Sequence, residues 1–140
     1  MTGFLLDTNV VSEMVKNKPH PGVMRWMSDA DEMLLHFSVF TLAEIRKGIA
    51  SQSDIARRAS LESWLADLVD RFSERILPMD LAIADRWGHI TGVCKAKGVT
   101  LPVIDGLLAA TALHYDLKFV TRNVKDVQDT GVETLNLWRL

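Results

Sequence analysis

Short apolar runs alternate along this chain with longer stretches in which apolar residues recur every three or four positions. Residues 3 to 7 read as a buried strand, in which Phe4, Leu5 and Leu6 run together and stop at Asp7. Met33 to Ser38, Ile76 with Leu77, Leu117 to Thr121 and Glu133 to Leu137 read as further strands. Helical spacing covers residues 9 to 16, residues 21 to 29 and Thr41 to Ala50. From Leu61 onward, Leu61, Trp64, Leu65, Leu68, Val69 and Phe72 fall on one helix face. Asp80 is placed to cap another helix, with Ile83, Trp87, Ile90 and Cys94 on its apolar side and Gly98 to stop it. Pro102 suits the first turn of a helix that reaches about Tyr115. Asn17 to Gly22 reads as a loop, and Ser51 to Ser60 as a connection between helices.

Alternating short strands and helices predict an α/β fold with a central parallel β-sheet covered by helices on both faces, one domain over residues 1–140. In such open sheets, ligands bind beyond the carboxyl ends of the strands. Asp7 lies at such an end.

Composition narrows the setting. The chain has 140 residues, enough for one core without covalent staples. Its single cysteine, Cys94, excludes an intramolecular disulfide and fits a reducing cytoplasm. No apolar stretch is long enough to span a bilayer, and the N-terminus lacks a signal-peptide pattern, so a cytoplasmic location without a membrane partner is expected. The formal net charge is −2, so nucleic acid cannot be attracted by bulk charge. A local basic patch or a bound cation would have to do it.

The acids carry the candidate chemistry. Asp7, followed by Thr8 and Asn9, fits a helix cap as well as a cation ligand. Glu44 closes "TLAE", a capping box in which Thr41 and Glu44 would satisfy each other's backbone, yet it also sits in a first turn after a predicted strand. Asp105, in "LPVIDGLLAATA", lies in an opening helical turn among Ile104, Leu107 and Leu108. A helix dipole explains an acid there, but not one set among apolar neighbours, where an unpaired carboxylate is costly. Asn123 and Asp126 follow the predicted strand that ends at Thr121, and either could serve as a turn residue. Each acid alone has an ordinary explanation. Together, four segments end the same way, and a parallel sheet would bring them to one rim, where like charges repel unless a cation joins them.

The stretches "LLDTNVVSE", "FTLAEIRKGI", "LPVIDGLLAATALHYDL" and "FVTRNVKDV" resemble the PIN-domain nucleases, and within them the VapC-type toxins of bacterial toxin–antitoxin pairs, especially the FitB-like branch. The resemblance implies a PIN-like fold and an acidic pocket for Mg²⁺ or Mn²⁺. It implies catalytic and metal-binding roles for Asp7, Glu44, Asp105 and Asp126, with Thr8, Asn9, Thr121 and Asn123 as nearby polar groups. Asn123 stands where relatives often carry an acid, so either it or Asp126 completes the set. The implied activity is metal-dependent endoribonuclease cleavage of structured RNA, in which an activated water leaves a 5′-phosphate and a 3′-hydroxyl. Implied partners are the RNA, a cognate antitoxin that inhibits the chain, and a second copy in a homodimer.

Arg46 and Arg122 adjoin the acidic segments and are candidate phosphate contacts, as are Lys47 and Lys125, which equally suit a solvated face. Ser12, Cys94 and the histidines show no spacing for a triad or a zinc site. Trp26, Trp64, Trp87 and Trp138 fit core spacing, although Trp64 or Trp138 could instead lie in a dimer interface. Two alternatives remain open at this point. One is a partner-binding module without catalysis, and the other is a PIN nuclease of RNA processing that has no antitoxin.

Overall fold

The computed structural model describes residues 2–140. Five short strands form one parallel sheet: β1 (Phe4–Leu6), β2 (Leu35–Ser38), β3 (Ile76–Leu77), β4 (Lys118–Val120) and β5 (Thr134–Leu135), in the order β3-β2-β1-β4-β5. β1 is central, with Leu5 beside His36 on one side and Phe119 on the other. Six helices cover the sheet: α1 (Thr8–Glu13), α2 (Pro21–Asp29), α3 (Val39–Ala50), α4 (Ile55–Phe72), α5 (Leu81–Ala96) and α6 (Val103–His114).

Alternation along the strands divides the core into two layers. Leu6, Phe37 and Val120 point to the layer that contains Val10, Val23, Ile45, Leu65 and Phe72 from α1 to α4. Leu5 and Phe119 point the other way, onto Leu108, Ala109 and Ala112 of α6. Behind α6, Ile83, Ile90 and Cys94 of α5 pack on Leu101 and Ala110. The predicted α/β sandwich is therefore present, with its parallel sheet covered on both faces.

Several boundaries differ from the sequence reading. α3 begins at Val39 because Ser38, at the end of β2, caps it by accepting from the Phe40 N–H at 3.0 Å. Thr41 is consequently buried inside the helix, and the Thr41–Glu44 capping box does not form. The expected connection over Ser51 to Ser60 shrinks, because Asp54 caps α4 by accepting from Arg57 N–H at 3.0 Å. Residues Glu32–Leu34 form a 3-10 turn, so β2 starts at Leu35. The last strand stops at Leu135, where Asn136 begins the 3-10 turn Leu137–Arg139 by accepting the Trp138 N–H at 3.0 Å. Asp80 and Gly98 act as expected, the first capping α5 through Ile83 N–H and the second adopting φ 78° just beyond it. No helix among the described residues is long and apolar enough to cross a membrane.

Candidate functional site

At the carboxyl edge of the sheet lies a cleft of about 570 Å³, lined by Asp7, Thr8, Asn9, Glu44, Asp105 and Asn123, with Pro102 to Ile104 forming one wall. Its side chains arrive from β1 and α1, from α3, from α6, and from the loop after β4. Three acids widely separated in sequence thus share one cavity.

Asp7 is the most tightly held. Its backbone N–H donates to Val120 O at 2.9 Å, which ties the end of β1 to β4. One carboxylate oxygen accepts from Thr8 N–H at 2.7 Å; the other accepts from the Thr121 hydroxyl at 2.7 Å and from Asn9 Nδ2 at 3.2 Å. The helix-cap and cleft readings therefore hold together, since Asp7 caps α1 and lines the cavity. Burial pushes its pKa up, and the charge of Glu44 adds to this against the hydrogen bonds from Thr121, Thr8 and Asn9.

Glu44 lies in the second turn of α3, which starts earlier than the sequence suggested, and lines the cleft. Its Oε1 accepts from the Thr8 hydroxyl, which lies 3.3 Å from the Thr41 hydroxyl. Thr8 thereby joins Asp7 to Glu44, with its backbone on one acid and its side chain on the other.

Asp105 sits in the first turn of α6, partly buried. Its pKa rises from 3.8 to about 6, chiefly through burial and then through the negative charges of Asp7, Asp126 and Glu44. The next residue explains how α6 comes so close. A Cβ at Gly106 would lie 2.9 Å from Leu101 Cδ2 and 3.0 Å from Trp87 Nε1, so a larger residue here would require Leu101 and Trp87 to shift.

The remaining candidates separate. Asn123 lines the cleft, whereas Asp126 lies on the exposed 3-10 turn Val124–Thr130, outside the lining but near enough for its charge to act on Asp105. Thr121 is buried and orients Asp7. Arg122 is exposed at the lip, with its N–H 3.4 Å from Asn9 Oδ1. Arg46 points away and pairs with Glu62 of α4 at 2.7 Å. Lys47 and Lys125 are exposed. Glu13, on the buried face of α1, did not stand out in the sequence. It lies one turn after buried Val10, and that spacing is the signal that marks it.

Among the described residues, no three His, Cys, Asp or Glu side chains are gathered closely enough to hold an ion as they stand. The donor set still suits a hard divalent cation. It is all oxygen, it comes from three carboxylates on one cleft, and no basic residue lines that cleft to offset them. Water molecules, which Mg²⁺ usually retains, would extend the reach of each carboxylate.

The family model of the PIN domain matches residues 4–130. VapC ribonuclease Y4jK of Sinorhizobium fredii is 30% identical over 135 residues, 96% of each chain. Toxin FitB of Neisseria gonorrhoeae is 31% identical over 135 residues, 96% of this chain and 97% of that one. The crystal structure of FitAcB from Neisseria gonorrhoeae superposes with a TM-score of 0.94 at 31% identity, covering 98% of this chain and 99% of that one. The parallel sheet flanked by helices and the similarity over nearly the whole chain agree, and the chain belongs to the PIN-domain family, in the branch that holds VapC and FitB.

Proposed function

We propose that this chain is a metal-dependent endoribonuclease and the toxin of a toxin–antitoxin pair. The observation that carries this reading is the convergence of Asp7, Glu44 and Asp105 on one cleft that no basic side chain lines. Relatives named as a ribonuclease and as a toxin support it.

Asp7 and Asp105 would hold Mg²⁺ or Mn²⁺, with Glu44 completing the set and Asp126 acting from outside the lining. When bound, the ion lowers the pKa of a water and neutralises charge on the phosphodiester. The chain's own residues do the rest. Thr121, Thr8 and Asn9 fix the Asp7 carboxylate and favour its ionised form against burial. Glu44, held by Thr8, is placed to take a proton from the attacking water. Asn123 offers its amide to a phosphate oxygen at the cleft mouth. Structured RNA with an exposed loop suits such an open cleft, since the strand must reach carboxylates at the sheet edge.

The inhibitory partner follows from the same electrostatics. Crowded carboxylates without a counter-charge would accept a basic side chain from an antitoxin, and that side chain would exclude the metal. A homodimer and a cytoplasmic location complete the proposal, with Leu81 and Val93 of α5 left as exposed apolar surface. The test is to assay purified chain on a hairpin-containing RNA with Mg²⁺ or Mn²⁺. Cleavage should require the metal and vanish in Asp7→Asn. Cleavage that persists in EDTA and in that variant would overturn the mechanism. Metal-dependent cleavage without growth arrest on expression would leave a processing nuclease instead of a toxin, and binding of a basic partner without any cleavage would leave a binding module.

A further inference from the structure

We propose that the C-terminal turn belongs to the RNA site, with Trp138 acting as a positioning residue that holds Arg122 at the lip of the cleft as a phosphate contact. This rests on the ribonuclease reading and adds a substrate-binding device to it.

The peptide of Arg122 is clamped from two sides. Its N–H points to Asn9 Oδ1 at 3.4 Å, and its carbonyl accepts from Asn136 Nδ2 at 3.4 Å. Asn9 lines the cleft, and so does Asn123, the next residue after Arg122. The side chain then leaves across the indole of Trp138, with the guanidinium carbon 5.3 Å from the ring centroid, within cation–π range. Trp138 is itself fixed. Its N–H donates to Asn136 Oδ1 at 3.0 Å, and its ring packs against the apolar layer of α1 to α4.

The guanidinium remains available. Among the described residues it makes no ion pair within 4.0 Å, unlike Arg46, which Glu62 occupies. Glu13, a buried acid on which the charge of Arg122 acts, already accepts from His20 N–H at 2.9 Å and pairs with Lys16 at 2.9 Å. Arg122 still feels that charge, and its own charge helps to lower the Glu13 pKa. An exposed arginine is thus kept near one place without having its donors consumed. A planar fork held this way loses less freedom on meeting a phosphate than a mobile side chain would. In a chain of net charge −2, one such cation on the segment that adjoins the cleft lining supplies a local attraction for phosphate.

The test separates binding from cutting. In an Asp105→Asn background, a fluorescein-labelled single-stranded oligoribonucleotide of mixed sequence is titrated by anisotropy across a salt series. Arg122→Gln should weaken binding several-fold and reduce the log–log salt slope by about 0.7, the value of one phosphate on a single strand. Trp138→Leu keeps apolar bulk but removes the ring face, and should weaken binding about two- to fivefold. Trp138→Phe should restore most of that loss, and in the cleaving protein the Trp138→Leu defect should fall on KM more than on kcat. An unchanged salt slope in Arg122→Gln, or equal binding by the Leu and Phe variants, overturns the inference and leaves the nuclease reading standing. If the wild-type chain binds RNA but cuts none, the nuclease reading falls while the slopes still decide this one. If it binds no RNA, both fall.

Discussion

Glu13 and Asp105 are both acids on helices next to the same sheet edge, and they behave in opposite ways. Glu13 has little accessible surface, 3% exposed, and its pKa is lowered. Burial pushes it up, but Lys16, the His20 N–H and the charge of Arg122 together outweigh that. Asp105 is more accessible, and its pKa climbs to about 6 because burial is joined by Asp7, Asp126 and Glu44, all of its own sign. The two carboxylates differ most in their partners, which are basic or N–H donors for Glu13 and acids for Asp105. The region around Glu13 completes its own electrostatics and serves the fold. The cleft around Asp105 leaves them incomplete, since no basic side chain lines it.

The largest expected effect tests that incompleteness through activity. Asp105→Asn should cost more in cleavage rate than the roughly 10- to 100-fold typical of groups one step removed from a metal, measured on RNA at saturating Mg²⁺. Next comes linkage. Mn²⁺ at about 100 times its dissociation constant should stabilise the wild-type chain by about 2.7 kcal/mol in urea unfolding, and Asp105→Asn should lose most of this. Retention of the full shift would mean that the cleft is not where the cation acts. Third, Glu13→Ala leaves the His20 N–H without its acceptor and should destabilise the fold by about 1–3 kcal/mol at neutral pH. Asp105→Asn in metal-free protein should do the reverse, stabilising by about 1 kcal/mol once solvent screening is allowed for. A loss of stability in both variants would erase the contrast between the two regions.

The smallest effect is in pH. A raised carboxyl pKa means that the folded state holds its proton more tightly than the unfolded state, so the Asp105 penalty is full above about 6 and lifts as pH falls towards 3.8. A lowered one has the opposite sign, so the Glu13 contribution is full above its ordinary value of 4.5 and is lost only below it. Between these limits, acidification should strengthen the metal-free wild-type chain relative to Asp105→Asn while leaving its difference from Glu13→Gln flat. Urea midpoints across that window measure both.

Much of this was legible in the residues. An apolar strand ending in Asp7 announced the sheet edge, and Asp105 among apolar neighbours announced a carboxylate in need of company. Glu44 was picked out, but its immediate surroundings were misjudged, because Ser38 caps α3 before Thr41 can and so turns the acid towards Thr8. Local pattern could not choose between two candidate caps, Ser38 and Thr41, three positions apart. That choice depends on where β2 ends, which the pairing with β1 and β3 sets. The stack of Arg122 on Trp138 was out of reach for a similar reason. Its two residues belong to segments that only the β4–β5 pairing brings together.

Because β1 is the middle strand, the first acid of the cleft depends on a residue 114 positions further along the chain. Asp7 is made well before the groups that secure it, since the hydroxyl and the carbonyl that do so belong to Thr121 and Val120. A nascent or prematurely ended product that stops short of β4 carries all three acids without the scaffold that aligns them. The cleft is thus a product of long-range pairing, and its acids are aligned only once β4 has joined the sheet.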